Sequence, residues 1–356
     1  MKLAKEIHAH RPVSHGGPYS IKNPNSQILD FSSNVSPVGP PPSVKRHLRQ
    51  NLDSLASYPD PDSKNMRKNL QRYTKIPSSH ILAGNGAIEI IYNFCHVFLS
   101  RKKTLIPIPT FGEYEAAAKL NGGKIFFFKT MNLNDDINDF VKIIPKDGCV
   151  FLCNPNNPTG VLILKKNIKK ILDTAEKRSS LVFVDECFIE LVPDSDESVS
   201  GLVKKYDNLL VLRSLTKSFG LAGIRVGYAL GSKDIIKTLD KIKIPWNVSG
   251  LGQRAADAAL HDLSHIEKAK KTIRRESKFL RKEISKIDGF ECHDAAANFI
   301  LIKTKSKSKL IQKMLLKKNI LVRDCSSFRG LDNNYIRIAV RTRDQNKRLI
   351  HAMKKI

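Results

Sequence analysis

The sequence predicts an α/β fold: a large domain with a mostly parallel central sheet, followed by a smaller α+β domain. Two observations carry this. From about residue 80 to about 230, short apolar strand-like runs alternate with amphipathic helical stretches, the pattern of parallel strands joined by crossover helices. Beyond Ile244-Pro245-Trp246-Asn247-Val248, lysine-rich helical sequence runs to Ile287 and gives way to strand-like runs at Phe299–Lys303 and Tyr335–Val340. A chain of 356 residues can hold two cores. The expected division is an arm at residues 1–45 that joins the small domain and the active site, a large domain at 46–245, and a small domain at 246–356.

Composition narrows the function classes. Hydrophobic residues make up 41% of the chain, which excludes a disordered polymer, and no apolar run is long enough to span a membrane. Met1 to Pro12 is charged and carries histidines without an apolar core, so no secretory signal is expected. Lysine and arginine outnumber acids 61 to 34, a net charge of +27. The excess lies in helix-like runs such as Lys165–Lys170 and Lys268–Lys282, so solvated helix faces and a field that attracts anionic ligands are expected, not a nucleic-acid partner. The six cysteines form no CxxC pair and read as reduced core residues of a cytoplasmic protein; no metal site is expected.

Taken in order, His15-Gly16-Gly17 comes first, a histidine whose glycine neighbours leave room for a ligand. Leu29-Asp30-Phe31-Ser32-Ser33-Asn34 follows, then a proline-rich turn with Ser43 as the expected N-cap of the next helix. Tyr58-Pro59-Asp60-Pro61 is a rigid turn. Gly84-Asn85-Gly86 delivers the chain into a helix N-terminus, where free N–H groups and the helix dipole favour a phosphate. Asn157 and Asp185 lie at the carboxyl ends of strand-like runs, the edge at which open α/β sheets bind ligands. Lys217 lies between two apolar strand-like runs in Ser214-Leu215-Thr216-Lys217-Ser218-Phe219-Gly220. Partial desolvation there lowers a lysine pKa and favours the nucleophilic amine, which can form a Schiff base with an aldehyde cofactor. Ser214, Thr216 and Arg225 are then hydroxyl and guanidinium donors for a cofactor phosphate.

Ser214-x-Thr216-Lys217 with Arg225 eight residues on, Asp185 upstream and Asn154-Pro155-Asn156-Asn157-Pro158-Thr159-Gly160 before it resembles the class I/II (fold type I) pyridoxal 5'-phosphate aminotransferase superfamily. The likeness covers nearly the whole chain. It implies a fold type I transferase in which Lys217 links the cofactor and Asp185 pairs with the pyridine nitrogen. It further implies that Asn157 bonds the phenolic oxygen, that Phe111 stacks on the ring, and that Gly84, Asn85 and Gly86 cup the phosphate. Tyr58 resembles the tyrosine that reaches the neighbouring subunit's cofactor phosphate, which implies a homodimer.

Within the superfamily, four stretches look like the threonine-phosphate decarboxylase group of cobalamin synthesis. They are the His15-Gly16-Gly17 arm with Leu29–Asn34, Asp185-Glu186-Cys187-Phe188, Pro245-Trp246-Asn247-Val248, and Val322–Phe328 with Tyr335–Thr342. Cys187, Ser249 and Arg329 depart from that pattern, Arg329 standing where proline is common. Phe188 cannot hydrogen-bond the cofactor's phenolic oxygen, which then leans on Asn157 alone. The resemblance implies that His15, Gly16, Asn34, Asn157, Arg323 and Arg337 hold a small phosphorylated amino acid. The alternative is the histidinol-phosphate aminotransferase group, which needs 2-oxoglutarate. An aminotransferase-like transcription regulator is not expected, because the segment ahead of Asp30 is too short for a helix-turn-helix module.

Overall fold

The structure is a computed structural model that describes residues 5–22, 24 and 26–356. A short strand β1 (Leu29–Asp30) leads into the chain, and seven strands then build the central sheet. They are β2 (Ile81–Gly84), β3 (Lys103–Ile108), β4 (Lys124–Lys129), β5 (Cys149–Cys153), β6 (Leu181–Asp185), β7 (Leu209–Ser214) and β8 (Gly227–Gly231), in the spatial order β2-β8-β7-β6-β5-β3-β4. All neighbouring pairs are parallel except those made by β8, which runs antiparallel to both β2 and β7. The mostly parallel α/β sheet expected from the sequence is therefore present.

The middle strands are apolar throughout because both of their faces are covered. Val150, Leu152, Val182, Val184, Leu209 and Val211 point into one core; Cys149, Phe151, Cys153, Phe183, Leu210 and Leu212 point into the other. On the face of the first core, Arg213 of β7 is buried between carboxylates, its Nε donating to Glu186 Oε2 at 2.9 Å and its Nη1 to Glu190 Oε1 at 3.0 Å. Tyr73 donates to the same Glu190 oxygen at 2.7 Å. This network fixes the residues next to Asp185 and Ser214 from beneath.

The C-terminal part forms a second, four-stranded sheet of β9 (Phe290–Cys292), β10 (Phe299–Thr304), β12 (Arg323–Asp324) and β13 (Tyr335–Ala339), all antiparallel; β11 (Ile320–Leu321) pairs instead with β1. Its core joins Ile300, Ile302, Ile336, Ile338, Leu349 and Met353 to Phe31 of the arm. The expected boundary near 246 falls ahead of the helix Gly250–Leu260, whose Ala255, Ala256 and Ala259 belong to the first core of the central sheet.

The basic stretches form amphipathic helices. Lys165–Lys177 buries Ile168, Ile171, Leu172 and Ala175 and leaves Lys166, Lys169 and Lys170 exposed. Leu263–Ile284 buries Ile266, Ala269, Ile273 and Leu280 in the same way. Five of the six cysteines are buried. One expectation is corrected: Ser43 is not an N-cap. With its cap at Pro41, the helix starts at Pro42, two residues earlier than expected, because a ring with φ preset and no N–H suits the first turn. Ser43 instead donates its hydroxyl to Asp262 Oδ2 at 2.9 Å.

Candidate active site

A cavity of about 690 Å³ opens where β5, β6 and β7 end. Three strand ends supply its floor. β6 ends in Asp185, which is 5% exposed. β7 ends in Ser214, whose Oγ accepts from the Thr216 N–H at 3.2 Å and so starts the single helical turn Leu215–Ser218 that carries Lys217. Just past β5 stands the buried Asn157. Asp185, Asn157, Ser214, Thr216, Lys217, Arg225, Phe111, His15, Gly16, Asn34, Arg323 and Arg337 all line this one cavity.

Burial lowers the Lys217 pKa from 10.5 to about 8; Cys187 and Asp185 act to raise it, and the Arg337 and Arg225 charges to lower it. At neutral pH this gives roughly 300-fold more free amine than an ordinary lysine would have. The ammonium lies 5.7 Å from the centroid of the Phe188 ring, which packs edge-on against Phe299. Burial pushes the Asp185 pKa up, while the Cys187 N–H (2.9 Å), the Tyr114 hydroxyl (2.7 Å) and the Lys217 charge hold it back.

The glycine-rich turn meets the cavity through the residues that follow it. Gly84, Asn85 and Gly86 do not line the cavity; Ala87 and Ile88 do. The Asn85 N–H is taken by Glu89 Oε2 at 2.6 Å. Gly86 has φ +75, and a Cβ there would lie 2.7 Å from Arg225 Nη2, so the glycine lets the arginine lie across the turn. Gly227 likewise brings β8 against the helix N-terminus, since a Cβ would meet Ala87 N at 2.5 Å. Ala87 and Ile88, in the first turn of the helix Gly86–Phe98, line the same cavity as Arg225, Ser214 and Thr216, and the first N–H groups of a helix have no partner within it.

On the other side of the cavity, Arg337 is buried, donates from Nη2 to Ser32 O at 2.8 Å and from Nη1 to Asn157 Oδ1, and burial lowers its pKa to about 10. Its Nε and the Asn34 Oδ1 are buried without a hydrogen-bond partner. Arg323 is held by the arm and the last loop: Nη2 donates to Ser14 O at 2.7 Å and to Ser327 Oγ at 3.0 Å. His15 Nε2 lies 2.6 Å from Glu113 Oε1. Arg329 forks onto Glu115 with two contacts of 2.9 Å, closing the wall between the last loop and the helix Glu113–Leu120. Sequence reasoning missed Tyr114, Glu113 and Glu115, which sit in a short helix without a motif.

Tyr58 is not among the cavity's lining residues. It is 84% exposed and packs on Trp246 with ring centroids 5.0 Å apart.

A desolvated lysine one turn past a strand end, a buried aspartate beside it and a phosphate cup at a helix N-terminus fit pyridoxal 5'-phosphate, and these features define a pyridoxal-phosphate-dependent enzyme. Residues 26–353 match the family model described as aminotransferase class I and II. The chain is 37% identical over 356 residues to a Caldanaerobacter subterraneus subsp. tengcongensis protein named "Putative threonine-phosphate decarboxylase", covering 98% of this chain and 95% of that one. It is 34% identical to the histidinol-phosphate aminotransferase of Methanococcus aeolicus, covering 95% and 92%. The crystal structure of L-threonine-O-3-phosphate decarboxylase from Porphyromonas gingivalis superposes with a TM-score of 0.84 at 28% identity, covering 92% and 99%. The chain belongs to the aminotransferase class I and II family.

Proposed function

We propose that this enzyme decarboxylates L-threonine O-3-phosphate to 1-amino-2-propanol O-2-phosphate. The observation that carries the reading is the pairing of Arg323 and Arg337 around one cavity with Lys217, with His15 at its edge. Such a cation set suits a substrate with two anions, and phosphothreonine carries both a carboxylate and a phosphate on a short chain. Histidinol phosphate has no carboxylate, but the 2-oxoglutarate that its transamination needs has two, so the cation set supports an anionic substrate and the assay below separates the reactions.

Lys217 Nζ holds the cofactor and, with its pKa near 8, can accept and return a proton near neutral pH. Ser214, Thr216, Arg225 and the N–H groups of Ala87 and Ile88 would hold the cofactor phosphate, Phe111 would pack on its ring, Asn157 would bond its phenolic oxygen, and Asp185 would pair with its ring nitrogen. Pyridoxal phosphate would supply an electron sink for the pair left when the Cα–carboxylate bond breaks, CO₂ leaving and Cα then taking a proton. Arg337, Arg323, His15 and Asn34 would bind the substrate's anionic groups and orient its carboxylate for that cleavage. Arg337 Nε and Asn34 Oδ1, buried and unpaired, are a donor and an acceptor that a polar substrate would satisfy. Tyr58, exposed and outside its own cavity, suits a homodimer in which it completes the partner's site. A product of this kind suits cobalamin synthesis, and the reading takes the enzyme as cytoplasmic.

The 34% identity to a histidinol-phosphate aminotransferase favours a second reading, transamination with 2-oxoglutarate. One assay separates the two. Protein loaded with pyridoxal phosphate should release CO₂ from O-phospho-L-threonine with no 2-oxo acid present. Efficient turnover of histidinol phosphate with 2-oxoglutarate, and no CO₂ from phosphothreonine, would reverse the assignment.

A further inference from the structure

The turn between β2 and the helix Gly86–Phe98 is held by more than the close approach of Arg225 and Gly227. Glu89 reaches back along its own helix, and its Oε2 accepts the Asn85 N–H at 2.6 Å. Gly84 leaves room for this, since a Cβ there would lie 2.7 Å from the Ile90 side chain and 3.2 Å from Glu89 Oε2. The same oxygen accepts from Asn247 Nδ2 at 2.8 Å, and that nitrogen also lies 3.2 Å from Ala83 O in β2. Asn247 stands 158 residues from Glu89 in the chain, in the segment after the helix Lys233–Ile242 and next to Trp246.

Two donors thus converge on one oxygen, the first from the turn and the second from a distant segment. Both are N–H groups, so the contacts ask only for an acceptor. Glu89 does not line the cavity, whereas Ala87 and Ile88, which stand between it and Asn85, both do. An acidic side chain in the first turn competes with a phosphate for the same helix end. Bent back onto Asn85, this one leaves the cavity to Ala87 and Ile88.

We propose that Glu89 is a positioning residue for the phosphate of pyridoxal phosphate. By holding the Asn85 N–H it sets the turn so that Ala87 and Ile88 supply the backbone donors, and through Asn247 it ties that setting to the segment carrying Trp246. This rests on the reading that those two residues hold the cofactor phosphate, and it is independent of the reaction that follows. An ordinary cap stabilises its helix whatever the ligand. A positioning role is felt by the phosphate and not by the rest of the cofactor.

The test is titration of the cofactor-free protein with pyridoxal phosphate and, separately, with pyridoxal, which lacks the phosphate, followed by visible absorption. Wild type should bind pyridoxal phosphate much the tighter; equal affinities would remove the phosphate site and the proposal with it. Glu89→Ala should weaken pyridoxal phosphate about tenfold, the scale of one lost hydrogen bond, and leave pyridoxal unchanged. Glu89→Gln keeps an acceptor and should stay within about threefold of wild type for both ligands. Asn247→Ala should weaken pyridoxal phosphate alone by about threefold and add nothing to Glu89→Ala, which separates its effect from any on Trp246 and Tyr58. A Glu89→Ala protein that keeps wild-type affinity, or loses both ligands equally, would overturn the proposal, as would Glu89→Gln binding as weakly as Glu89→Ala. Should Glu89→Ala fail to fold, Asn247→Ala decides by the same comparison, an equal loss for both ligands overturning it. A failure of phosphothreonine to yield CO₂ would sink the reaction while leaving this result intact.

Discussion

The Tyr114 hydroxyl donates to Asp185 Oδ2 at 2.7 Å, with both side chains buried behind the cavity floor. Tyr114 is stacked on Phe151 at 5.1 Å, with an interplanar angle of 12°, so its hydroxyl has little freedom to leave. Asp185 must be ionised to hold a proton on a pyridine nitrogen, while burial raises its pKa. Tyr114 opposes that rise. Tyr114→Phe should therefore weaken cofactor binding on the order of tenfold, the scale of one hydrogen bond to a charged group. Asp185→Asn should cost more, since the whole charge is lost. Cofactor titration by visible absorption checks both; a Tyr114→Phe protein that binds as tightly as wild type would remove the tyrosine from this role.

Lys217 links the site to stability. Its folded value, about 8, lies below the unfolded value of 10.5, so between these the unfolded chain binds the extra proton. The cofactor-free protein should gain stability as pH rises through that window, and below it should bear the full cost of a buried ammonium. Lys217→Met should stabilise the cofactor-free protein at neutral pH by roughly 2–3 kcal/mol, the advantage fading as pH approaches the unfolded value. Urea unfolding at several pH values reads this directly. In the loaded wild type, borohydride should fix the cofactor on Lys217; an adduct mapped to another lysine would end the assignment.

These two residues also mark how far the sequence reaches. Asp185 and Lys217 were legible because each follows an apolar run too uniform to be anything but a buried strand, and strand ends are where such sheets bind ligands. Tyr114 was not legible. Its helix, Glu113–Leu120, is short and alanine-rich, and only the tertiary fold brings it 71 residues back from Asp185. At Gly84-Asn85-Gly86 the turn was legible, but the residues that line the cavity are the two after it, Ala87 and Ile88, because Gly86 turns the chain at a positive φ. At Ser43 the cap rule gave way to proline at the first helical position.

Tyr58 makes a prediction about assembly. An 84% exposed tyrosine tilted against the half-exposed Trp246 is a poor solution for an isolated chain and a good one for a surface that meets a partner. Tyr58→Phe should weaken cofactor binding in the purified protein, although the residue lies outside its own cavity. Mixing Tyr58→Phe chains with Lys217→Ala chains should restore activity above that of either variant alone, because one of the two hybrid sites is then intact. Hybrids with no such gain would place Tyr58 in packing alone.

Arg337 and Arg323 should fail in different ways. Arg337 is fixed by Ser32 O and Asn157 Oδ1; in the proposed complex, where Asn157 meets the cofactor ring, this guanidinium would lie between substrate and cofactor. Its pKa of about 10 keeps it charged at neutral pH despite burial. Arg337→Ala should lower kcat on the order of 10²-fold, as loss of orientation at the reacting carbon does. Arg337→Lys should recover little, since a point charge cannot form the fork that holds two acceptors at once. Arg323 instead spends Nη2 on Ser14 O and Ser327 Oγ, which ties the arm and the last loop over the cavity. Arg323→Ala should therefore raise KM as well as lower kcat, because the arm that carries His15 is released together with a cation. Neither variant should change the visible spectrum of the loaded protein before substrate is added. Steady-state kinetics on O-phospho-L-threonine decides: rates within threefold of wild type for Arg337→Ala would show that the buried fork does not orient the bond that breaks.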